Sequence, residues 1–390
     1  MPVAIKHYHL LILFVLLISF SSTGSEVPKS IALPIPPVLK ELEEKEEQVE
    51  RNPIPVFSAR YDWIKLTSDE WLKGDILSMY EEELEFDSDE LGVLKLDWDK
   101  IADMRTKGLQ SIRIIDGTVL EGWIVMSDGI LTLTRDGQEY EYERDSVLSL
   151  ASAETSRREL WDGDISLGAN ISRGNAENLD YTFAASIQRR SATSRFKANW
   201  VANFSQNKDA ESGQKNETAN NQRFTASHDM FVNDKIFFRP ADVEYFSDVF
   251  QNIDSRISAG IAVGYHIFNE KKYNWDVTAG PSYQITTFSN VQALESKDEK
   301  SGALALTTTF DYEITKDIDF ETDYQIQFVS ENAGKYIHHL EVGLEMELVN
   351  DFDLDLIFYL DRTENPRTDE NDVTPQKQDY RLVVSIGYNF

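Results

Sequence analysis

Charged side chains in the C-terminal part of the chain fall into two groups that could act on an ion or a small polar solute. Arg195, Lys197, Arg223, Arg239 and Arg256 form a basic group, and Asp319, Glu321, Asp323, Glu341, Glu345, Glu347, Asp353 and Asp355 form an acidic one. Each group lies on the face opposite the apolar residues of its alternating segments. In a closed ring of strands the two groups would line roughly opposite walls of the lumen. Two outcomes compete. The walls either face each other across water and set a transverse field for passing ions, or they meet in salt bridges that plug a narrow lumen. The acidic residues outnumber the basic ones, so an open lumen is expected to prefer cations.

Catalysis would need a constellation that these segments do not supply. The histidines of this region are His228, His266, His338 and His339. His338 and His339 are adjacent, so in a strand they point to opposite faces and cannot chelate one ion. Ser227 and His228 are also adjacent, which puts the hydroxyl out of reach of the imidazole as a general base. There is no HExxH, GxSxG or phosphate loop. Acidic residues of the expected outer loops, including Asp209, Glu211, Asp369, Glu370 and Asp372, lack the fixed spacing of a calcium loop and read as solvated. No enzyme activity, cofactor or metal is expected.

The elements that must position these charges are legible as alternation over residues 160–390. Leu179, Tyr181, Phe183, Ala185 and Ile187 share one face, as do Ile257, Ala259, Ile261, Val263, Tyr265 and Ile267. Ile318, Phe320, Tyr324, Ile326 and Phe328 follow the same rule, and so do Tyr380, Leu382, Val384, Ile386, Tyr388 and Phe390. A helix would return apolar residues every three or four positions; these return every two. About 12 strands of roughly 10 or more residues result, the length a tilted strand needs to cross a bilayer. A soluble sandwich would use strands of about 5 or 6 residues. Lipid does not tolerate an open sheet edge, so the sheet must close. The expected fold class is all-β, an antiparallel transmembrane barrel of about 12 strands preceded by a small duplicated β-domain.

The links alternate in length. Ala192-Thr193, Asn233-Asp234, Asn269-Glu270, Lys316-Asp317 and Asn350-Asp351 mark tight turns. Gln206–Gln222, Asp248–Asp254, Asn290–Gly302, Ser330–Lys335 and Arg362–Gln378 are longer polar links. Short inner turns and longer outer loops are the usual barrel asymmetry. An even strand count puts both barrel ends on the turn side, which makes the preceding domain periplasmic. The aromatic C-terminus, Tyr388 and Phe390 after an alternating strand, resembles the signal read by the barrel-assembly machinery. Trp161, Trp200, Trp275, Tyr388 and Phe390 read as interface girdles.

Upstream, residues 1–25 have the order of a secretory signal peptide: Lys6, the apolar run Leu10–Phe20, then small residues. Residues 26–55 hold six prolines around one charged segment and read as extended linker with a short charged helix. Residues 56–153 carry a repeat. Trp71-Leu-Lys-Gly74-Asp-Ile76 recurs as Leu120-Glu-Gly122-Trp-Ile124, and the stretch from Leu94 to Ile101 recurs from Tyr140 to Val147, at an offset of roughly 46 to 48 residues. Each copy reads as several short strands, so two small SH3-like or Sm-like units packed together are expected, with Trp63, Trp71, Trp98 and Trp123 in their cores. The chain lacks cysteine, which excludes disulfides and thiolate metal sites.

The stretch Leu167-Gly-Ala-Asn-Ile-Ser-Arg-Gly174-Asn175-Ala-Glu-Asn, followed by strand, turn and strand, resembles the opening of the salt-induced outer-membrane protein family. The resemblance covers roughly residues 160–390, and the preceding unit is similar to the small β-domain attached to some members. It implies a barrel of no established activity and carries over no catalytic residue.

The net charge of −30 repels nucleic acid, which is not an expected partner. Outer-membrane lipid and the barrel-assembly machinery are expected partners, with ions or small polar solutes in the lumen. The expected function is a narrow, cation-preferring passive pore or an envelope-stabilising barrel. The alternative is a membrane-anchored interaction protein whose periplasmic domain binds a partner or cell-wall component, a reading that an exposed apolar patch on residues 56–153 would favour.

Overall fold

The computed structural model describes residues 57–153, 160–172, 177–208, 214–349 and 351–389. The leader, the linker, the Gly174-Asn175 turn, the Asp209 and Glu211 loop tip and Phe390 lie outside the described residues.

The small domain repeats one order of elements. Its first copy is β1 (Asp62–Leu66), β2 (Trp71–Tyr80), β3 (Glu83–Ser88), β4 (Gly92–Asp97), a 3-10 turn over Trp98–Lys100 and β5 (Ile101–Arg105). The second is β6 (Gln110–Ile114), β7 (Val119–Ser127), β8 (Ile130–Arg135), β9 (Gln138–Glu143), a 3-10 turn over Arg144–Ser146 and β10 (Val147–Ser152). The copies do not fold as two separate units. β5 pairs with β7 of the other copy and β10 pairs with β2, a reciprocal exchange that closes the ring β1-β5-β7-β6-β10-β2. The two 3-10 turns also meet: Trp98 donates its indole N–H to the Arg144 carbonyl at 3.2 Å, and Arg144 donates to the Asp99 carbonyl at 3.1 Å.

The physical reason is core size. One copy is too short to bury a sufficient apolar core alone. Merged, the copies share a single core that includes Ile64, Ile76, Met79, Met104, Ile112, Ile124 and Leu133. Trp98 is buried in that core, but Trp123 is 50% exposed on the outer face of β7 beside Val125 and Ile130. The expectation that Trp123 is a core residue is therefore corrected. Trp123 has the parity of outward-facing Val119 and Val125 rather than that of buried Ile124 and Met126.

The barrel has twelve antiparallel strands in closed order. They are β11 (Trp161–Ser172), β12 (Glu177–Arg190), β13 (Ser194–Lys208), β14 (Lys215–Phe231), β15 (Ile236–Asp248) and β16 (Ile253–Glu270). Then come β17 (Tyr273–Phe288), β18 (Asp298–Thr315), β19 (Ile318–Phe328), β20 (Tyr336–Val349), β21 (Phe352–Thr363) and β22 (Gln378–Asn389). Closure runs through β11 and β22, where Ile165 pairs with Tyr388 and Leu167 with Ile386.

The alternating apolar residues face outward: Leu167, Tyr181, Trp200, Ile257, Val263, Tyr283, Leu304, Leu382 and Ile386 are all exposed on the barrel wall. Water would not support so wide an apolar surface, whereas lipid does. Aromatic contacts cluster near the short-turn end, among them Trp161–Phe196, Trp275–Phe310 and Phe352–Tyr388. Phe328–Tyr336 lies at the other end.

Two outer links are shorter than expected. β13 and β14 continue as a paired hairpin to Lys208 and Lys215, and β18 begins at Asp298. Backbone pairing needs no apolar face, so polar residues such as Asn216, Asn220 and Asn221 extend the ladder beyond the apolar band. β15 is irregular for a different reason. Pro240 has no N–H to donate, and the register with β16 shifts between Arg239 and Asp242.

One glycine makes room for the lumen's packing. Gly264 on β16 pairs with Phe237 on β15, and a Cβ there would collide with the Phe237 ring, which is fully buried and 4.8 Å from the His266 ring. Gly264→Val should lower barrel stability by about 1–3 kcal/mol, the usual cost of overpacking, read as a lower urea midpoint in lipid vesicles. An unchanged midpoint would mean the ring has another place to go. In the small domain, Ile124→Ala should cost about 2–5 kcal/mol. Because the core is shared, limited proteolysis of the full chain should then cut in both copies; cleavage confined to β6–β10 would contradict a single cooperative core.

Candidate functional site

The lumen is filled differently on its two sides. On the β13–β17 side Arg195 and Arg239 have found carboxylate partners, whereas among the described residues Arg256 is buried with no carboxylate within 4.0 Å. Arg195 donates to Asp229 at 3.0 Å and to Asp276 at 2.8 Å, and Arg239 donates to the other Asp229 oxygen at 2.6 Å. His266 shares Asp276 at 2.5 Å. Asp229 is fully buried. Paired carboxylates offset the cost of enclosing these two guanidinium groups.

A second layer crosses the lumen. Arg223 on β14 donates to Glu244 on β15 at 2.6 Å and to Asp361 on β21 at 2.6 Å. β14 and β21 are five strands apart by the shorter way round (β14, β13, β12, β11, β22, β21), so this side chain spans the barrel. His339 joins Asp361 at 2.9 Å, and the Arg223 guanidinium sits 4.4 Å over the Phe246 ring. Arg256, also buried, lies 5.5 Å from the same ring. Nearby, a cavity of about 20 Å³ between Asp242, Glu244, Ser258, Thr278, Gln325 and Gln327 has room for about one water.

The acidic group stands in a different setting. Among the described residues, none of Asp319, Glu321, Asp323, Glu341, Glu345, Glu347, Asp353 and Asp355 has a Lys or Arg nitrogen within 4.0 Å. Their bonds are to neutral groups: Asp323 accepts from Thr309 at 3.0 Å, Asp355 from Ser385 at 3.1 Å and Asp353 from Asn389 at 2.6 Å. Glu321 and Glu347 are exposed, whereas Asp353 and Asp355 are buried. Opposite Glu321 the neighbouring strand carries Gly343, which leaves the space beside the carboxylate open. Lys197 is within electrostatic reach of Asp311 and Glu321 across this space.

The sequence therefore located inward-facing charges on the named strands, but the picture of a basic wall is corrected. Arg195, Arg223 and Arg239 are neutralised by Asp229, Glu244, Asp276 and Asp361, which sequence reasoning did not single out. Alternation carried the signal: Asp229 has the parity of Arg223 on β14, and Glu244 has that of Asp242 on β15. The adjacent histidines do point to opposite faces, His339 inward to Asp361 and His338 to the Tyr324 hydroxyl at 2.8 Å. Among the described residues no three His, Asp or Glu side chains converge to hold a metal ion.

The small domain sits on the short-turn mouth of the barrel. The β2–β3 turn touches the barrel through Tyr80, whose hydroxyl donates to the Arg190 carbonyl at 3.1 Å, and through Glu81, which pairs with the Arg190 guanidinium and accepts from Asn274 at 2.7 Å. Arg190 also stacks 4.5 Å over the Tyr80 ring. Lys271, in the β16–β17 turn, bridges Glu83 at 2.8 Å and Asp97 at 2.5 Å. Arg113 donates to the Asn233 carbonyl at 2.9 Å, and Ser149 to the Ala192 carbonyl at 3.2 Å. Burial alone would push the Glu81 carboxyl up, but Arg190 outweighs it and holds the group below its usual range. Burial pushes Arg113 down to about 10, which leaves it cationic at neutral pH.

Among solved structures the barrel is similar to the NanC porin, at 12% identity and a TM-score of 0.36 over 58% of this chain and 98% of that one. It is also similar to the translocator domain of the autotransporter NalP from Neisseria meningitidis, at 10% identity and a TM-score of 0.34 over 60% of this chain and 90% of that one. An outer membrane channel from Pseudomonas putida F1 aligns at 9% identity and a TM-score of 0.34 over 59% of this chain and 94% of that one. No curated protein matches the chain in sequence. Residues 165–390 match the model of the family described as "Protein of unknown function, DUF481", and the chain belongs to that family.

Proposed function

We propose that this protein is an outer-membrane barrel that acts as a narrow, cation-preferring passive pore, with its small β-domain in the periplasm. The observation that carries the reading is the asymmetry of the lumen. Arg195, Arg223 and Arg239 are paired with acids, while among the described residues the eight carboxylates on β19–β21 have no Lys or Arg within 4.0 Å and include the exposed Glu321. Ions would run along that acidic strip, where unpaired carboxylates attract cations and reject anions. The leader and the outward apolar wall support the location, and the aromatic end at Tyr388 and Phe390 supports recognition by the barrel-assembly machinery.

A second reading rests on two specific observations. The Arg223–Asp361 bridge across the lumen favours a rigid, envelope-stabilising barrel. The exposed strip of Trp123, Val125 and Ile130 favours a partner or cell-wall component for the small domain.

Planar-bilayer recording under a salt gradient separates these readings. Cation-selective current is expected, and Glu321→Gln with Glu345→Gln should reduce the selectivity. Anion preference would sink the pore reading as stated. A folded barrel that passes no current would leave the stabilising and anchoring readings, with Trp123 as the place to look. Separately, Arg223→Ala removes the cross-lumen side chain. Single-channel conductance should rise, and stability should drop by about 3–5 kcal/mol because Asp361 and Glu244 lose their buried cation. Unchanged conductance would show that the bridge lies off the ion path.

A further inference from the structure

We propose that the small β-domain is a gate on the short-turn mouth of the barrel, latched shut by the Glu81–Arg190 pair and the Lys271 clasp. The proposal rests on the pore reading above and adds how the pore would be regulated.

The first support is a backbone outlier at the point of contact. Tyr80 pairs with Glu83, so Glu81 and Glu82 form a two-residue turn, and both have positive φ, 54° and 62°. Such turns favour Asn or Gly, because other side chains crowd the backbone there. Strain of this kind persists where surrounding structure holds it, and it marks candidate functional points.

The domain's own duplication supplies the comparison. The equivalent turn of the second copy, between Ser127 and Ile130, is Asp128-Gly129, with φ of 52° and 77°. It has the residues such a turn prefers. Both copies touch the barrel, but of the two equivalent turns it is the one that binds the mouth, through Glu81, that replaces these residues with two glutamates.

The second support is electrostatic. Lys95 on β4 corresponds to Glu141 in the second copy. It is exposed and lies within electrostatic reach of Asp162 on β11 and Asp319 on β19, the latter a member of the acidic strip. A positive charge within reach of the acidic strip opposes the approach of cations. Moving the domain would withdraw Lys95 together with Glu81.

The contacts are of the kind that can release. Glu81, Glu83 and Asp97 are held by two basic side chains, Arg190 and Lys271, and by Asn274, and the latching atoms are partly solvent-accessible. Among the described residues, the core cluster of the small domain consists of that domain's own side chains.

The test uses the full chain in lipid vesicles. The natural sequence has no cysteine, so one introduced thiol is unique. Glu321→Cys places it in the lumen, and a membrane-impermeant cationic methanethiosulfonate is supplied from the turn side. Breaking the latch with Arg190→Ala and Lys271→Ala should raise the modification rate several-fold, and in chains retaining Glu321 it should raise the open fraction of the current. Arg135→Ala, which removes a charge on the far β8–β9 hairpin, should do neither. An unchanged modification rate in the latch variant overturns the gate. A raised rate without current in any variant keeps the gate and removes the pore; current with equal rates keeps the pore and removes the gate. If the latch variant does not fold, Glu81→Cys with Asn274→Cys, joined by a short bifunctional maleimide, should lower the current relative to the unjoined chain. Equal current before and after joining would again overturn the gate.

Discussion

The pairing of Ile165 with Tyr388 turns a twelve-stranded sheet into a closed surface, and the other features of the barrel are subject to that closure. A membrane gives no hydrogen-bond partner to a free strand edge, so the last strand must find the first. Closing the ring at twelve strands leaves a lumen that long side chains can reach across, as Arg223 does in meeting Asp361. The outer face is then committed to lipid, and every polar side chain on the alternate positions is enclosed with the others.

Enclosed charge has two stable outcomes, a local counter-ion or water. The β13–β17 side takes the first. Arg195, Arg239, Asp229, Asp276 and His266 form one network, closed further by the Phe237 ring against Gly264. The acidic strip has no such counter-ion among the described residues. Asp323, Asp355 and Asp353 accept from Thr309, Ser385 and Asn389, which are neutral donors. Arg195, Arg223 and Arg239 are thus paired with carboxylates, while the eight carboxylates of the strip have no Lys or Arg within 4.0 Å among the described residues.

Strand number, the lipid-facing residues and the inward parity of the charged groups were legible in sequence because a period of two is a direct consequence of strand geometry. Pairing across the lumen was not legible. Alternation says that Arg223 and Asp361 both point inward, but not that their strands stand close enough to bridge. In the small domain the repeat was readable from Trp71 and Leu94 onward. The exchange of β5 and β10 between copies was not, since a repeat reports similarity and says nothing about which copy a strand pairs with. Trp123 was misplaced because a large aromatic residue is normally buried, and only its parity against Ile124 and Met126 shows otherwise.

Duplication constrains where the two copies of the small domain can differ. The reciprocal pairing of β5 with β7 and β10 with β2 needs both copies to keep their strand lengths and core residues, which limits change to hairpin tips and outer faces. A two-fold arrangement offers two such tips, and a single barrel mouth engages one of them. The unengaged tip keeps Asp128-Gly129, the chemistry its backbone prefers, while the engaged tip carries Glu81-Glu82 at a conformational cost that the contacts with Arg190 and Asn274 offset. The pseudo-symmetry that builds the core is thus broken at the surface that meets the barrel, in the turn whose Glu81 contacts Arg190 and Asn274.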